Sequence, residues 1–201
     1  MIYESVVVIY KEYCMTMVEH DEVREILRDL YSDIKGTLIS CEERSRKKIS
    51  ENTFVYGEAD FDSMVKIFDI VNPQPHEVFY DFGSGVGKQV LAAAMLCNCS
   101  AVYGVEYLDD LYATSCDVLE VFRKEHIPRF SSESVAAIHF DHQDFFSYDF
   151  PHKEAVLFTC STCFDTSMME GIARKVEELA SGSRVITLTK QLPSEEFEEI
   201  T

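Results

Sequence analysis

The amino-acid sequence predicts a doubly wound α/β domain with a mostly parallel sheet. Short β-rich runs alternate with helical segments along most of the chain, which is typical of parallel sheets covered by helices on both faces. The β-rich runs are apolar at consecutive positions, so both faces of each strand are expected to be buried. A glycine-rich turn follows the first run, at the edge where such sheets bind their ligands.

The predicted elements follow one another in a regular order. Residues 20–35 carry apolar side chains three and four positions apart, which predicts an amphipathic helix. A second stripe covers 61–71 and ends at the proline-containing sequence 72–75, because the residue before a proline disfavours helix. Strands are predicted at 78–80, 101–105, 136–140, 155–159 and 184–188, and helices at 86–97, 109–126 and 165–180. Residues 1–50 are expected to form an N-terminal helical segment, and residues 51–201 the ligand-binding domain.

Composition narrows the class of protein. The 201 residues suit one globular domain with a small appendage, and no apolar run approaches the roughly 18 residues that cross a bilayer. Seven cysteines without a secretion signal favour an intracellular location, in the nucleus or the cytoplasm. The formal net charge of -18 disfavours nucleic acid and favours a basic protein as partner. No membrane association is expected, and the oligomeric state stays open.

The segment from Asp81 to Gly87 lies between a predicted strand and a predicted helix, the context in which a glycine-rich turn binds a ligand. Gly83, Gly85 and Gly87 allow a tight turn and a close approach of the backbone to that ligand. A dinucleotide fingerprint needs its third glycine at position 88, which is lysine. The Asp81 carboxylate suits a ligand ammonium group and repels a pyrophosphate. The pattern therefore favours a ligand other than a dinucleotide.

Acidic residues also follow the next two predicted strands. Glu106 stands 23 positions after Gly83, where a carboxylate can accept hydrogen bonds from both hydroxyls of a ribose. Proteins that bind NAD share this arrangement, so by itself it indicates only an adenosine-type ligand. Asp144 and Phe145 follow the third predicted strand, in a position to hydrogen-bond an adenine amino group and to pack against its ring.

Three sequence segments together closely resemble the Dot-one-type histone lysine methyltransferases, which are non-SET enzymes with a seven-strand methyltransferase fold. The segments are Val-Tyr-Gly-Glu-Ala-Asp-Phe-Asp at 55–62, Tyr-Asp-Phe-Gly-Ser-Gly-Val-Gly at 80–87 and Tyr-Gly-Val-Glu at 103–106. The similarity covers roughly residues 50–190 in the same order. It implies a class I, Rossmann-like methyltransferase fold, S-adenosylmethionine as cofactor and a chromatin protein as substrate.

The resemblance also implies which residues contact the cofactor. The loop after the N-terminal segment is expected to fold over the methionine part, the glycine turn to contact the amino acid moiety, and the later acidic positions to hold the ribose and the adenine. The residues expected at the methionine part are Tyr56, Gly57, Glu58 and Ala59, and those expected at the amino acid moiety are Asp81, Gly83, Gly85, Gly87, Lys88 and Gln89. The ribose is expected to contact Glu106, and the adenine Asp144 and Phe145.

The sequence departs from the family pattern at two places. Lys88 stands where the family usually has glutamine, with Gln89 next, and a lysine there can still reach the carboxylate of the cofactor. The family motif Asn-Asn-Phe-Ala-Phe after the fourth strand aligns with Cys-Ser-Thr-Cys-Phe at 160–164, so that only Phe164 is retained. The amide that orients the donor and the incoming amine is therefore missing. Tyr56, Ser161, Thr162 and Phe164 are the candidate catalytic residues at the substrate opening.

Three functions follow from these observations. The first is a protein lysine methyltransferase that acts on histones, and the second is a methyltransferase for another protein or a small molecule. The third is a catalytically silent module that keeps the cofactor fold for interaction. Cys160 and Cys163 could supply two ligands of a zinc site, and His139 and His142 the other two. Cysteines at strand ends are usually packing residues, however, so no metal site is expected.

The resemblance also predicts two more strands after the fifth one. Only eleven residues follow Lys190, and their proline and glutamates are not typical of a strand. The chain is therefore expected to be a truncated piece or to form a reduced five-strand sheet. Either arrangement leaves one edge of the sheet open.

Overall fold

A computed structural model describes residues 19–49, 56–130 and 134–199 of the chain. In chain order the helices are α1 His20–Tyr31, α2 Gly36–Lys47, α3 Phe61–Val71, α4 Lys88–Leu96, α5 Asp109–Glu125 and α6 Thr166–Val176. The strands are β1 Val78–Phe82, β2 Ala101–Glu106, β3 Ala137–His142, β4 Ala155–Thr159 and β5 Arg184–Thr187. Short 3-10 turns lie at Ile127–Arg129, Phe145–Ser147 and Ser161–Cys163.

The five strands form one sheet in the order β3-β2-β1-β4-β5, and every pair of neighbours is parallel. Each connection between parallel strands passes over a face of the sheet, and the order reverses at β1, from which the chain proceeds first to one side and then to the other. The predicted doubly wound α/β class is therefore confirmed. The carboxyl ends of β1, β2 and β4 meet at one edge, where this fold class binds ligands.

Both faces of β1 are buried, and successive side chains join different cores. Val78, Tyr80 and Phe82 belong to one core with residues of α6, while Phe79 belongs to the other core with residues of α1, α3, α4 and α5. This alternation follows from the two-residue period of a strand. Asp81 has the same parity as Phe79, so its carboxylate points toward the side covered by α4.

Helices α1 to α5 form two layers on the face of the sheet from which the Phe79 side chain projects. α4 and α5 contact the strands directly, while α1 and α3 pack on α4, and α2 packs on α5. Close contact between α4 and the sheet is possible because Ala92, Ala93 and Ala94 present small side chains, all of them buried. α6 and a group of aromatic side chains from residues 145–150 cover the opposite face.

The N-terminal helix differs from the prediction for residues 20–35. Helix α1 ends at Tyr31, and a separate helix α2 begins at Gly36 and includes most of the charged stretch. A Cβ at Gly36 would lie 2.5 Å from the ring of Tyr56, so the chain needs a glycine where α2 starts. The domain boundary placed at residue 50 stays a prediction.

Several other element boundaries differ by a few residues from the predictions, and two of the differences have local reasons. The helix predicted at 165–180 ends at Val176, because the following turn brings the N–H of Ala180 to the carbonyl of Lys153 at 2.8 Å. Strand β3 extends to His142 rather than to residue 140, since Asp141 and His142 continue the pairing with β2. Residues 188–199 contain no strand. Among the described helices, none combines the length and the apolar character that a membrane span requires.

A buried ion pair joins the start of β5 to Glu77, the residue before β1, and the same arginine bonds to the end of α3. Arg184 Nη2 donates to a carboxylate oxygen of Glu77 at 2.8 Å and to the carbonyl of Val71 at 2.8 Å. The Glu77 side chain is only 6% exposed, whereas the Arg184 side chain is 23% exposed. Removing the cation would leave a buried carboxylate without its counter-charge.

We expect Arg184→Ala to lower the free energy of unfolding by about 3 kcal/mol, because the Glu77 carboxylate stays buried without its partner. Arg28→Ala is the matched control, since Arg28 pairs with Asp29 at an exposed position and should contribute less than about 0.5 kcal/mol. Urea denaturation of the two variants measures both values. Equal losses of stability in the two variants would contradict the assignment.

Candidate functional site

A cavity of about 210 Å³ opens at the carboxyl edge of the sheet. Its walls combine acidic, glycine, aromatic and aliphatic residues from the loop at 56–59, from the turns that follow β1, β2, β3 and β4, and from the first turns of α5 and α6. These residues are Tyr56, Gly57, Phe82, Gly83, Glu106, Tyr107, Leu108, Leu111, Asp144, Phe145, Phe146, Cys160, Phe164 and Met168. A second, much smaller space of about 10 Å³ adjoins it beside Asp81 and Ser84.

The glycine turn passes from β1 to α4 through three residues with left-handed backbone. Gly83, Gly85 and Gly87 have φ values of +78°, +56° and +82°, a region that other residues rarely adopt. The turn is also crowded, because a Cβ at Gly85 would lie 2.2 Å from Tyr56 and one at Gly87 would lie 2.4 Å from Phe140. Glycine is therefore required at both positions for steric reasons as well as for backbone conformation.

Glu106 connects two of the turns that form the cavity. One carboxylate oxygen accepts from the backbone N–H of Gly85 at 2.7 Å, and the other accepts from those of Tyr107 at 2.9 Å and Leu108 at 2.8 Å. The side chain is buried, and burial raises the pKa of its carboxyl, although the three N–H groups oppose that shift. The carboxylate is thus held in one orientation beside the cavity.

Asp81 is buried next to Glu106 and accepts no hydrogen bond from a described residue. Burial, together with the charge of Glu106, raises the pKa of the Asp81 carboxyl to about 8. The hydroxyl of Ser84, which also lines the small space, is buried without a partner among the described residues. A polar space lined by the Asp81 carboxylate and an unpaired hydroxyl, next to the larger cavity that Glu106 lines, suits a ligand that brings a positive charge and hydrogen-bond donors.

The loop at residues 56–59 covers the glycine turn and is tied to α4. The ring of Tyr56 lies between Gly36 and Gly85, and its hydroxyl donates to the carboxylate of Glu58. Lys88 Nζ contacts Glu58 at 3.0 Å, so the lysine is engaged by the loop. Gln89 adds a hydrogen bond of 2.8 Å to the carbonyl of Ala59. Lys88 and Gln89 therefore hold the loop in place over the turn.

Aromatic side chains form the wall opposite the acidic residues. Phe145 stacks on Phe82 with a centroid separation of 5.2 Å and an angle of 9°, and Phe146 contacts Phe145 edge-on at 4.7 Å. Asp144 accepts from the N–H of Phe146 at 2.9 Å and so fixes the 3-10 turn that carries both rings. This wall suits a flat, apolar ring such as a nucleobase.

The stretch after β4 contributes to the cavity unevenly. Cys160 and Phe164 line it, and burial raises the pKa of the Cys160 thiol, which keeps the thiol neutral. The hydroxyl of Thr162 lies 3.8 Å from the sulfur of Cys160, beside Gly57. Ser161 points elsewhere: its side chain is fully buried and donates to the carbonyl of Leu188 at 2.6 Å.

The structure brings most of the sequence-predicted site residues to one edge of the sheet. Seven of them line the larger cavity: Tyr56, Gly57, Gly83, Glu106, Asp144, Phe145 and Phe164. Ala59, Asp81 and Gln89 line the smaller space. The remaining ones border neither space, although they lie in or next to the turns around the two spaces, and the side chain of Ser161 is directed away toward Leu188; they are Glu58, Gly85, Gly87, Lys88, Ser161 and Thr162.

Sequence reasoning missed several residues of the cavity wall. Tyr107 and Leu108 directly follow Glu106, so their position in the sequence was a usable signal. Cys160 is expected from the sequence to be a packing residue and Phe82 is given no role of its own, and only the fold places them beside the opening. Leu111, Phe146 and Met168 carry no motif that marks them. In residues 19–49, 56–130 and 134–199, no three His, Cys, Asp or Glu side chains are grouped in a way that could hold a metal ion.

Comparison with known proteins identifies a matching family. The family model described as "Histone methylation protein DOT1" matches residues 39–200. Two relatives are named "Histone-lysine N-methyltransferase, H3 lysine-79 specific": one from Caenorhabditis elegans is 28% identical over 68% of this chain, and one from Dictyostelium discoideum is 27% identical over 82% of it. The matched parts are 15% and 9% of those relatives, so the chain spans a small part of their length.

A solved structure from Pyrococcus horikoshii, described as a candidate RNA methyltransferase, shares the fold. It superposes with a TM-score of 0.53 and 14% sequence identity, over 85% of this chain and 75% of that one. This similarity confirms the predicted class I methyltransferase architecture, and the matching family model confirms the resemblance drawn from the three sequence segments.

We expect Asp81→Asn to stabilise the ligand-free protein above about pH 6. The ordinary pKa of 3.8 rises to about 8 in the folded protein, so the folded state binds the extra proton, and wild-type stability falls as pH increases from about 4 to about 8. The amide side chain of the variant does not titrate, so the variant does not lose stability in this way. Its melting temperature at pH 8 should exceed that of the wild type by at least about 3 °C.

Thermal melts at several pH values measure this difference. Asp117→Asn, on an exposed part of α5, serves as the control and should follow the wild type. An Asp81→Asn variant that melts below the wild type at pH 8 would contradict the assignment, because the carboxylate would then be stabilising the fold.

Proposed function

Because the chain belongs to the histone methylation protein DOT1 family, we propose that it binds S-adenosylmethionine and transfers the methyl group to a protein lysine. The cavity at the carboxyl edge of the sheet is the proposed cofactor site. A histone, acted on in the nucleus, is the expected substrate. The observation that carries the proposal is the pair of buried carboxylates, Asp81 and Glu106, beside an aromatic wall.

The residues present fit this cofactor in three respects. Glu106 keeps one unused lone pair after its three backbone contacts, on the oxygen that bonds to Gly85, which suits a ribose hydroxyl. Asp81, which accepts no hydrogen bond from a described residue, suits the ammonium group of an amino acid. Phe145 and Asp144 present a ring and a carboxylate at the opposite end, as an adenine requires. A dinucleotide fits less well, since its pyrophosphate would lie near Asp81.

S-adenosylmethionine, when bound, would supply a methyl group on a sulfonium: the lone pair of an unprotonated amine would bond to the methyl carbon while the S–CH3 bond breaks and the sulfur leaves as a neutral thioether. The protein contributes binding, orientation and the exclusion of water. The loop at 56–59 covers the glycine turn, and Glu58 keeps it closed through Lys88. Tyr56 and Cys160 line the cavity at that loop, where an incoming side chain would enter, and Phe164 lines it beside Phe145.

A lysine must lose its proton before it can attack, because its ordinary pKa is about 10.4. Transfer to the apolar side of the cavity would lower that pKa by desolvation, so the proposal requires no dedicated general base. The raised pKa of Cys160 leaves a neutral thiol there, which does not hold the incoming amine in its charged form. Phe164 and Tyr56 provide the apolar surface around the amine.

The replacement of the family's asparagine motif supports a second candidate substrate. Cys160 provides no amide, and the hydroxyl of Ser161 is engaged by Leu188. The side chains near the opening therefore differ from those that orient a histone lysine in the family. A non-histone protein or a small molecule is the alternative acceptor on this observation, and the acidic composition of the chain favours a basic one.

We expect Glu106→Gln to weaken S-adenosylmethionine binding by about tenfold or more, because a charge-assisted acceptor for the ribose is lost. Isothermal titration at pH 8 measures the dissociation constant. Glu120→Gln, an exposed position on α5, is the control and should bind as the wild type does. A dissociation constant within twofold of the wild type for Glu106→Gln would contradict the proposed ribose site.

We expect methyl transfer from labelled cofactor to a histone when the protein is incubated with nucleosomes, free histones and a cell lysate in parallel. Glu106→Gln supplies the background in each reaction, and mass spectrometry locates the modified residue. Label on lysate proteins without label on any histone would contradict the histone assignment and favour the second candidate. An absence of label in all three reactions would contradict the assignment of methyl transfer itself.

A further inference from the structure

Helix α5 begins without a capping side chain of its own. Its N-cap residue is Leu108, whose side chain cannot accept a hydrogen bond, so the first N–H groups of the helix need an acceptor from elsewhere. Glu43, in the middle of α2, supplies it. One oxygen of Glu43 accepts from the N–H of Asp109 at 2.8 Å and the other from that of Asp110 at 2.8 Å.

The Glu43 carboxylate has no contact with solvent. Its side chain is 0% exposed, and Lys47, one turn later on α2, lies 2.6 Å from it and neutralises its charge. A buried carboxylate that receives two backbone N–H groups and an ammonium group is fully engaged, which favours one fixed position. α2 is thereby attached to the first turn of α5.

Glu43 and Glu106 together accept hydrogen bonds from four consecutive backbone N–H groups. Glu106 accepts from residues 107 and 108, and Glu43 accepts from residues 109 and 110. Without Glu43, the N–H groups of Asp109 and Asp110 would lose their acceptor. Glu106 is the carboxylate that could replace it, because it already bonds to the adjacent N–H groups. Glu106 would then be drawn toward the helix end and away from the ligand.

We propose that Glu43 is a positioning residue for the ribose end of the cofactor site. By capping α5, it keeps the turn at 106–108 in place and leaves Glu106 free to accept hydrogen bonds from the ligand. This inference rests on the proposed function, because it takes Glu106 as the ribose-binding residue. Helix α2 has no residue in the cavity wall. It would nevertheless influence cofactor affinity through Glu43.

The test compares S-adenosylmethionine affinity in four forms of the full chain by isothermal titration. Glu43→Gln keeps the shape but offers one acceptor oxygen in place of two, and it should weaken binding by about five- to tenfold. Arg46→Ala removes an exposed contact between the same two helices, the pair with Asp110, and should bind within twofold of the wild type.

The fourth form separates positioning from stability. Ile26→Val trims a buried side chain on α1 and should lower the melting temperature without changing cofactor affinity. A Glu43→Gln variant that melts lower but binds within twofold of the wild type would overturn the inference. A wild-type chain that binds no cofactor would instead overturn the proposed function, and this inference with it.

An amide NMR spectrum of the ligand-free protein provides a second measurement that does not depend on cofactor binding. Glu43→Gln should shift the N–H signals of Tyr107 and Leu108, which bond to Glu106, as well as those of Asp109 and Asp110. If only the signals of Asp109 and Asp110 move, Glu106 has kept its position and the inference is contradicted. Arg46→Ala should leave the signals of Tyr107 and Leu108 unchanged.

Discussion

The site depends on the hydrogen bonds that the Glu106 carboxylate accepts from Gly85, Tyr107 and Leu108. These bonds join the turn after β1 to the turn after β2, which are the two turns that a parallel sheet places side by side at its carboxyl edge. Glycine backbone in the first turn makes the approach possible, since a side chain at Gly85 would collide with Tyr56. The cavity is the space that remains between these turns and the loop at 56–59.

The same arrangement stores an electrostatic cost in the ligand-free protein. Asp81 and Glu106 are buried next to each other, and their proximity raises the pKa of Asp81. A fold optimised only for stability would pair one of them with a cationic side chain. Lys88 is close enough in sequence to do so, yet it binds Glu58 instead. The cost is therefore consistent with a site that a cationic ligand completes, a trade of stability for binding that functional sites commonly show.

Much of this architecture could be predicted from the sequence, because its elements follow local rules. The apolar strand runs, the glycine turn and the acid at the end of β2 depend on short-range patterns, and each was placed correctly. The capping of α5 by Glu43 could not be predicted, since those residues are 66 and 67 positions apart and no motif links them. The orientation of the Ser161 side chain could not be predicted either, because a hydroxyl after a strand can face either the cavity or the neighbouring strand.

We propose that Asp81 and Glu106 hold the charged and hydroxyl groups of S-adenosylmethionine while the aromatic wall holds its ring. A crystal structure of the chain with this cofactor is the most direct test. We expect the ribose within hydrogen-bond distance of Glu106, the ammonium group beside Asp81 and the adenine against Phe145. A cofactor bound elsewhere, or one whose ribose lies away from Glu106, would contradict the proposal.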